Sequence, residues 1–127
     1  MTVTRTLPRL LFWAAGAVAF VFAVIPHPPS LPGAPSDKVQ HIVAFLVLAI
    51  LGRLAYPDVR KRELLLGLAG FGALIEIAQA IPALNRDSDP FDWIADVGAA
   101  FIVFVAIALW GRLVRRRAAT GLRADRA

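Results

Sequence analysis

Cysteine is absent from the 127 residues, which excludes disulfides, thiolate metal sites and cysteine nucleophiles, and leaves no redox clue to a compartment. Charge is scarce too, at 18% of residues against 58% hydrophobic. A soluble domain of this size needs a polar surface around its core. Here the apolar residues instead form long runs separated by short polar clusters, the pattern of a membrane protein. Acidic residues are outnumbered, 9 against 14 Lys and Arg, giving a formal charge of +5. The excess arginine flanks hydrophobic runs, so it reads as topology and no nucleic-acid partner is expected. The length suits one compact domain with no additional soluble one, and no internal repeat stands out.

Four runs are present. The first, Leu7 to Pro26, carries only Arg9 at its edge, and about 20 residues at 1.5 Å each suffice for one crossing. A signal peptide is the alternative, since Arg5 and Arg9 resemble a positive n-region. The run is long for that role and no clear small-x-small cleavage site follows, so a retained helix is expected. His27 to Pro35 (HPPSLPGAP) is a Pro- and Gly-rich loop. The second run, Asp37 to Tyr56, ends in a turn bearing Arg53, Arg60, Lys61 and Arg62. The third, Leu64 to Pro82, is rich in small residues (Gly67, Gly70, Gly72, Ala73) that allow close helix approach in lipid. The polar loop Asn85 to Pro90 precedes the fourth run, Phe91 to Gly111, bracketed by Trp93 and Trp110. These lie about 26 Å apart on a helix and fit an interfacial aromatic belt. Residues 1–111 thus form a four-helix membrane domain, and 112–127 a basic tail with Arg112, Arg115, Arg116, Arg117, Arg123 and Arg126, expected to fray on the anionic leaflet.

The expected fold is all-α, an integral membrane four-helix bundle. The N-terminus, the loop between the second and third runs and the C-terminus are arginine-rich, whereas the other loops hold Lys38 and Arg86 among acids. Four crossings with both termini cytoplasmic satisfy the positive-inside rule throughout.

That topology gathers the unusual polar residues toward the outer face. Asp37, Lys38 and His41 open the second helix, Glu76 and Gln79 lie in the last turns of the third, Arg86 is in the loop, and Asp92 and Asp96 open the fourth. Asp37 and His41, Glu76 and Gln79, and Asp92 and Asp96 are pairs three or four apart, each sharing a helix face. Three helices therefore present polar pairs at similar depth, able to converge on one pocket. Glu76, about 9 Å inside its helix end, needs a partner or a proton. Structural alternatives stand beside this. Ser36 and Asp89 are N-cap candidates, with Pro90 at the first helical position and Asp37 and Asp92 near positive helix ends. Lys38 and Arg86 suit interfacial anchoring, Arg53 suits the same task at the inner face, and Glu76, Gln79 and Arg86 suit a polar staple.

These residues, in this order, resemble the VanZ-like family of small bacterial membrane proteins. The matching stretches are Ser36–Phe45 (SDKVQHIVAF), Ile75–Gln79 (IEIAQ), Arg86, and Asp92–Ala99 (DWIADVGA), spread over residues 10 to 110. Asp96 stands where the family often has Asn, adding a negative charge, and a second Gly one turn after Gly98 is missing. The resemblance implies a bacterial inner-membrane location and a link to the cell envelope; the namesake is associated with resistance to teicoplanin-type glycopeptides.

The leading expectation is a protein that binds, and by extension modifies, an anionic envelope lipid or precursor at the outer leaflet. Lys38 and Arg86 hold phosphate, and Asp37, Gln79, Asp92 and Asp96 complete the binding cluster. His41 is the candidate acid or base, with Glu76 as its partner or the base itself. No signature of a known lipid phosphatase is present. The rival is a non-catalytic module of interaction or immunity type, in which the polar cluster staples the bundle. A divalent metal on His41, Glu76, Asp92 and Asp96 is a third reading, but with few histidines no metal or cofactor is expected. Membrane lipids are the expected partners, and the oligomeric state is left open.

Overall fold

A computed structural model describes residues 3–28, 32–33 and 36–124, with side chains over 5–28, 32–33 and 36–120. Its elements are α1 (Val3–Val24), α2 (Asp37–Ala55), α3 (Lys61–Gln79), a 3-10 turn (Pro82–Leu84) and α4 (Pro90–Ala124). No strand occurs among the described residues. The all-α expectation is met. Part of the proline-rich loop before α2 (residues 29–31 and 34–35) and Arg126 lie outside the described residues, as does the side chain of Arg123.

The helix ends follow from local chemistry. Ser36 caps α2, its Oγ accepting from the Val39 N–H at 3.4 Å, with Asp37 in the positive first turn. Asp89 caps α4, its carboxylate accepting from the Phe91 N–H at 2.9 Å, and Pro90 takes the first helical position, where no N–H is needed. Both capping expectations are met. Helix α3 stops at Gln79, three residues before Pro82, because Ile81 adopts the extended conformation (ψ 116°) favoured before proline. Asn85, at φ 49°, then takes the left-handed conformation that ends the 3-10 turn. Helix α1 begins before the hydrophobic run and accommodates Pro8, whose missing N–H affects only the first turns.

The tail departs from expectation. Rather than fraying after Gly111, α4 continues to Ala124. One glycine costs a helix only ~1 kcal/mol, and the Arg, Leu and Ala around it are good helix formers. At 1.5 Å per residue α4 is about 50 Å long and α2 about 30 Å, so its basic end extends well past its neighbours.

Consecutive helices run antiparallel. At one end the start of α2 meets the start of α4 (Lys38 to Asp92), and the end of α3 meets the end of α1 (Gln79 to the Ala23 carbonyl). At the other end the start of α1 meets the α2–α3 connection (Arg5 to Asp58). Helix α2 is central, packed by both α1 and α4, while α3 packs mainly on α4 and α2.

The core is assembled from small and aromatic residues. Ala49, Ala55 and Ala100 are fully buried, and Phe45, Leu48, Ile75 and Phe104 nearly so. Gly72 has the closest approach: a Cβ there would stand 3.1 Å from the Trp93 ring and 3.3 Å from that of Phe45. Large apolar residues such as Leu10, Trp13, Val18, Leu66, Ile77, Ile102 and Trp110 face outward, while His41, Gln79 and Asp96 are buried. This is the reverse of a water-soluble surface. Three helical stretches, Arg5–Val24, Asp37–Ala55 and Pro90–Thr120, are long and apolar enough to cross a membrane. Helix α3, of similar length, carries Lys61, Arg62 and Glu63 at one end and Glu76 near the other.

Candidate functional site

The polar pairs meet at one end of the bundle, which holds six of the nine acidic residues (Asp37, Glu76, Asp87, Asp89, Asp92, Asp96) but, among the described residues, only Lys38 and Arg86 of the Lys and Arg. Ten basic residues (Arg5, Arg9, Arg53, Arg60, Lys61, Arg62, Arg112, Arg115, Arg116, Arg117) belong to the opposite end.

Each polar side chain reaches across to another element. Lys38 Nζ lies 2.6 Å from Asp92 Oδ1 and 3.7 Å from Asp89 Oδ2, pinning α2 to the start of α4. Deeper by one turn, His41 Nδ1 lies 3.2 Å from Asp96 Oδ2, with Asp96 fully buried and His41 8% exposed. Glu76 Oε2 accepts from the Ser88 hydroxyl at 2.8 Å and from the Asp89 N–H at 2.9 Å, holding the α3–α4 loop from below. Gln79 donates to the Ala23 carbonyl at 3.1 Å, closing the last turn of α1 against α3. Arg86 Nη2 lies 3.1 Å from Asp37 Oδ2.

One expected pairing is replaced by another. His41 is hydrogen-bonded to Asp96 and not to Glu76, because residues 41 and 96 face each other across the α2–α4 contact whereas Glu76 turns to the loop that begins α4. Two carboxylate oxygens, Glu76 Oε1 and Asp96 Oδ1, are buried without a hydrogen-bond partner. Among the described residues no group of three or more His, Asp or Glu is arranged to hold a metal ion.

The cluster does not close on a single pocket. An open groove of about 390 Å³ runs between α1 and α2. Its floor and walls are apolar (Ala15, Val18, Ala19, Val43, Ala44, Val47), and Asp37, Gln40, His41 and Arg86 stand at its polar end. Lys38, Glu76, Gln79, Asp92 and Asp96 are not among its lining residues; they tie together the helices that carry it. His41 lines the groove while its Nδ1 is held by Asp96.

Several side chains escaped the sequence reading. Ser88 is one, since nothing marks a loop serine as the partner of a carboxylate twelve residues earlier. Trp93 is another: its indole N–H donates to the Ala69 carbonyl at 2.9 Å, so it locks α4 on α3 over Gly72 and is more than a belt residue. At the basic end Arg53 does not merely anchor: its guanidinium donates to the Pro57 and Val59 carbonyls, organising the α2–α3 connection. Arg9 lies over the Tyr56 ring, whose hydroxyl accepts from the Trp13 indole at 2.8 Å.

Compared with protein-family models, with curated proteins and with solved structures, the chain finds no match.

Proposed function

We propose that this chain is a multi-pass membrane protein of the bacterial cell envelope, whose polar end binds a phosphate-bearing lipid or lipid-linked precursor from the outer leaflet, the phosphate being its anionic group. The observation that carries the reading is the α1–α2 groove, apolar along its length with Arg86 and His41 at its polar end. A lipid has the same division. Its acyl chain replaces apolar contacts with the membrane interior, and its phosphate meets a guanidinium, whose five N–H donors in a planar fork suit a phosphate.

Helix α3 crosses as well, because it packs antiparallel to α2 and α4 and joins their opposite ends. With four crossings, the segregation of basic residues to one end supports an orientation with both termini in the cytoplasm and the acidic end outside. The motif order that resembles the VanZ-like family supports the same envelope location. In this arrangement Arg86 and His41 contact the ligand. Lys38, Asp92, Asp96, Glu76 and Gln79 hold them in place, and any proton transfer to the ligand falls to His41, oriented by Asp96.

A second reading is favoured by the same ties: four inter-element contacts (Lys38–Asp92, His41–Asp96, Glu76–Ser88, Gln79–Ala23) are those of a staple fixing a non-catalytic module. The two separate in envelope-lipid profiles of a deletion strain complemented with wild type, Arg86→Gln or His41→Ala at matched membrane levels. Restoration of a changed lipid by wild type alone supports the ligand site. Full restoration by both variants refutes it and leaves the staple.

A further inference from the structure

The polar end is short of positive charge for a purely anionic ligand. Lys38 is spent on Asp92 and Asp89, and Arg86 on Asp37. An anion drawn to Arg86 competes with Asp37 and is repelled by it, since the carboxylate and the guanidinium lie 3.1 Å apart. Yet the pair is placed for ligand contact. Both residues line the groove's polar end, and the Asp37 side chain is 58% exposed while that of Arg86 is 11% exposed, supported on its protein side. A largely enclosed guanidinium beside an accessible carboxylate is the complement of a ligand that carries both signs of charge.

Resting on the reading that the groove takes a lipid, we propose that its preferred headgroup is zwitterionic, a phosphate with a neighbouring primary ammonium, as in a phosphoethanolamine lipid. The phosphate meets Arg86 and the ring of His41, and the ammonium takes the Asp37 carboxylate. Exchange of one ion pair for two leaves no carboxylate stranded, which a simple anion cannot achieve. The ammonium is primary because a carboxylate rewards N–H donors. A quaternary ammonium offers none and is ordinarily held by aromatic faces, whereas the polar residues at the groove's end are Asp37, Gln40, His41 and Arg86. One acyl chain then lies along α1 from Ala23 toward Ala15 and along α2 from Val39 toward Val47, each about 12 Å of helix. The cavity, at about 390 Å³, falls within the ordinary range of ligand sites.

The test uses the full chain in a neutral detergent with three lipids of identical acyl chains, phosphatidylethanolamine, phosphatidylglycerol and phosphatidylcholine, and counts retained lipid by native mass spectrometry. A charge-assisted hydrogen bond gained or lost predicts a preference for phosphatidylethanolamine of about tenfold over each of the others. Asp37→Asn, which keeps the side-chain shape and the Ser36 cap, removes the preference over phosphatidylglycerol. Arg86→Gln lowers retention of both lipids about tenfold or more, and Arg86→Lys, which keeps the charge for a bundle that needs it, gives an intermediate loss. Phosphatidylglycerol retained as well as phosphatidylethanolamine, with both dependent on Arg86, overturns the zwitterion alone. A preference that survives Asp37→Asn does the same. Equal retention of all three lipids regardless of Arg86 overturns the lipid site itself.

Discussion

The His41–Asp96 pair makes the sharpest test of the architecture, because removing either partner and removing both have different consequences. Asp96 is fully buried and already leaves Oδ1 without a partner, so His41 supplies its one hydrogen bond. Replacing His41 by Leu strips that bond and leaves both carboxylate oxygens unpaired, a loss of ~3–5 kcal/mol for a buried pair broken on one side. Asp96→Asn keeps the shape and a hydrogen-bonding group beside the ring and costs about 1 kcal/mol. Replacing both residues by Leu removes the stranded group, so the double variant is more stable than His41→Leu alone by ~2 kcal/mol or more. Membrane helix contacts set a lower bound, since measured polar couplings there average ~0.6 kcal/mol. Enclosure of Asp96 by protein places this pair at the upper end. The assay is a double-mutant cycle of His41→Leu, Asp96→Leu and the double variant, read from unfolding midpoints in mixed micelles, with Asp96→Asn measured beside it. Additive effects, with the double variant less stable than either single one, would refute the claim that Asp96 depends on His41.

Two further outcomes follow from the packing and the topology. Gly72→Ala lowers the melting temperature in detergent, because overpacking against Trp93 and Phe45 costs ~1–3 kcal/mol and outweighs the ~1 kcal/mol gained in helix propensity; Gly70→Ala, where a Cβ meets nothing within 4 Å, is neutral or stabilising. Equal effects at the two sites contradict the close approach of α3 and α4. Because the chain has no cysteine, single cysteines report sidedness cleanly: Asp87→Cys reacts with a membrane-impermeant maleimide in spheroplasts and Thr120→Cys only after permeabilisation, the reverse pattern defeating the proposed orientation.

Most of the fold was legible because its determinants are local. The α2 and α4 starts follow from Ser36 and from Asp89-Pro90, and the antiparallel order follows from short connections between apolar runs. The end of α4 was not legible, since Gly111 looks like a stop until the arginines and alanines beyond it are seen to continue the helix. Face-sharing pairs three or four apart sit on α2, α3 and α4 at one polar end of the bundle. They did not specify partners, because a helix face spans several neighbours and the rotation of each helix is set by tertiary contacts. Gly72 admits Trp93, Trp93 fixes α4 against α3, and that rotation gives Asp96 to His41 and leaves Glu76 to Ser88. No spacing rule contains this chain of consequences.

The same chain separates the residues that touch the groove from those that position them. Arg86 lies in the loop that Glu76 holds through Ser88 and the Asp89 amide, so Glu76 governs the guanidinium without lining the groove. His41 lines the groove and is oriented by Asp96 from behind, while Lys38 fixes the distance between α2, which carries His41, and α4, which carries Asp96. A site built this way places its interhelical ties directly beneath its proposed ligand contacts. Loss of Lys38 or Glu76 therefore weakens binding by misplacing Arg86 and His41, and the weakening grows with temperature as the loop loosens. Loss of Arg86 or Asp37 removes a contact outright, at every temperature. That difference in temperature dependence, rather than the size of any single effect, assigns each polar residue to the ligand or to the scaffold.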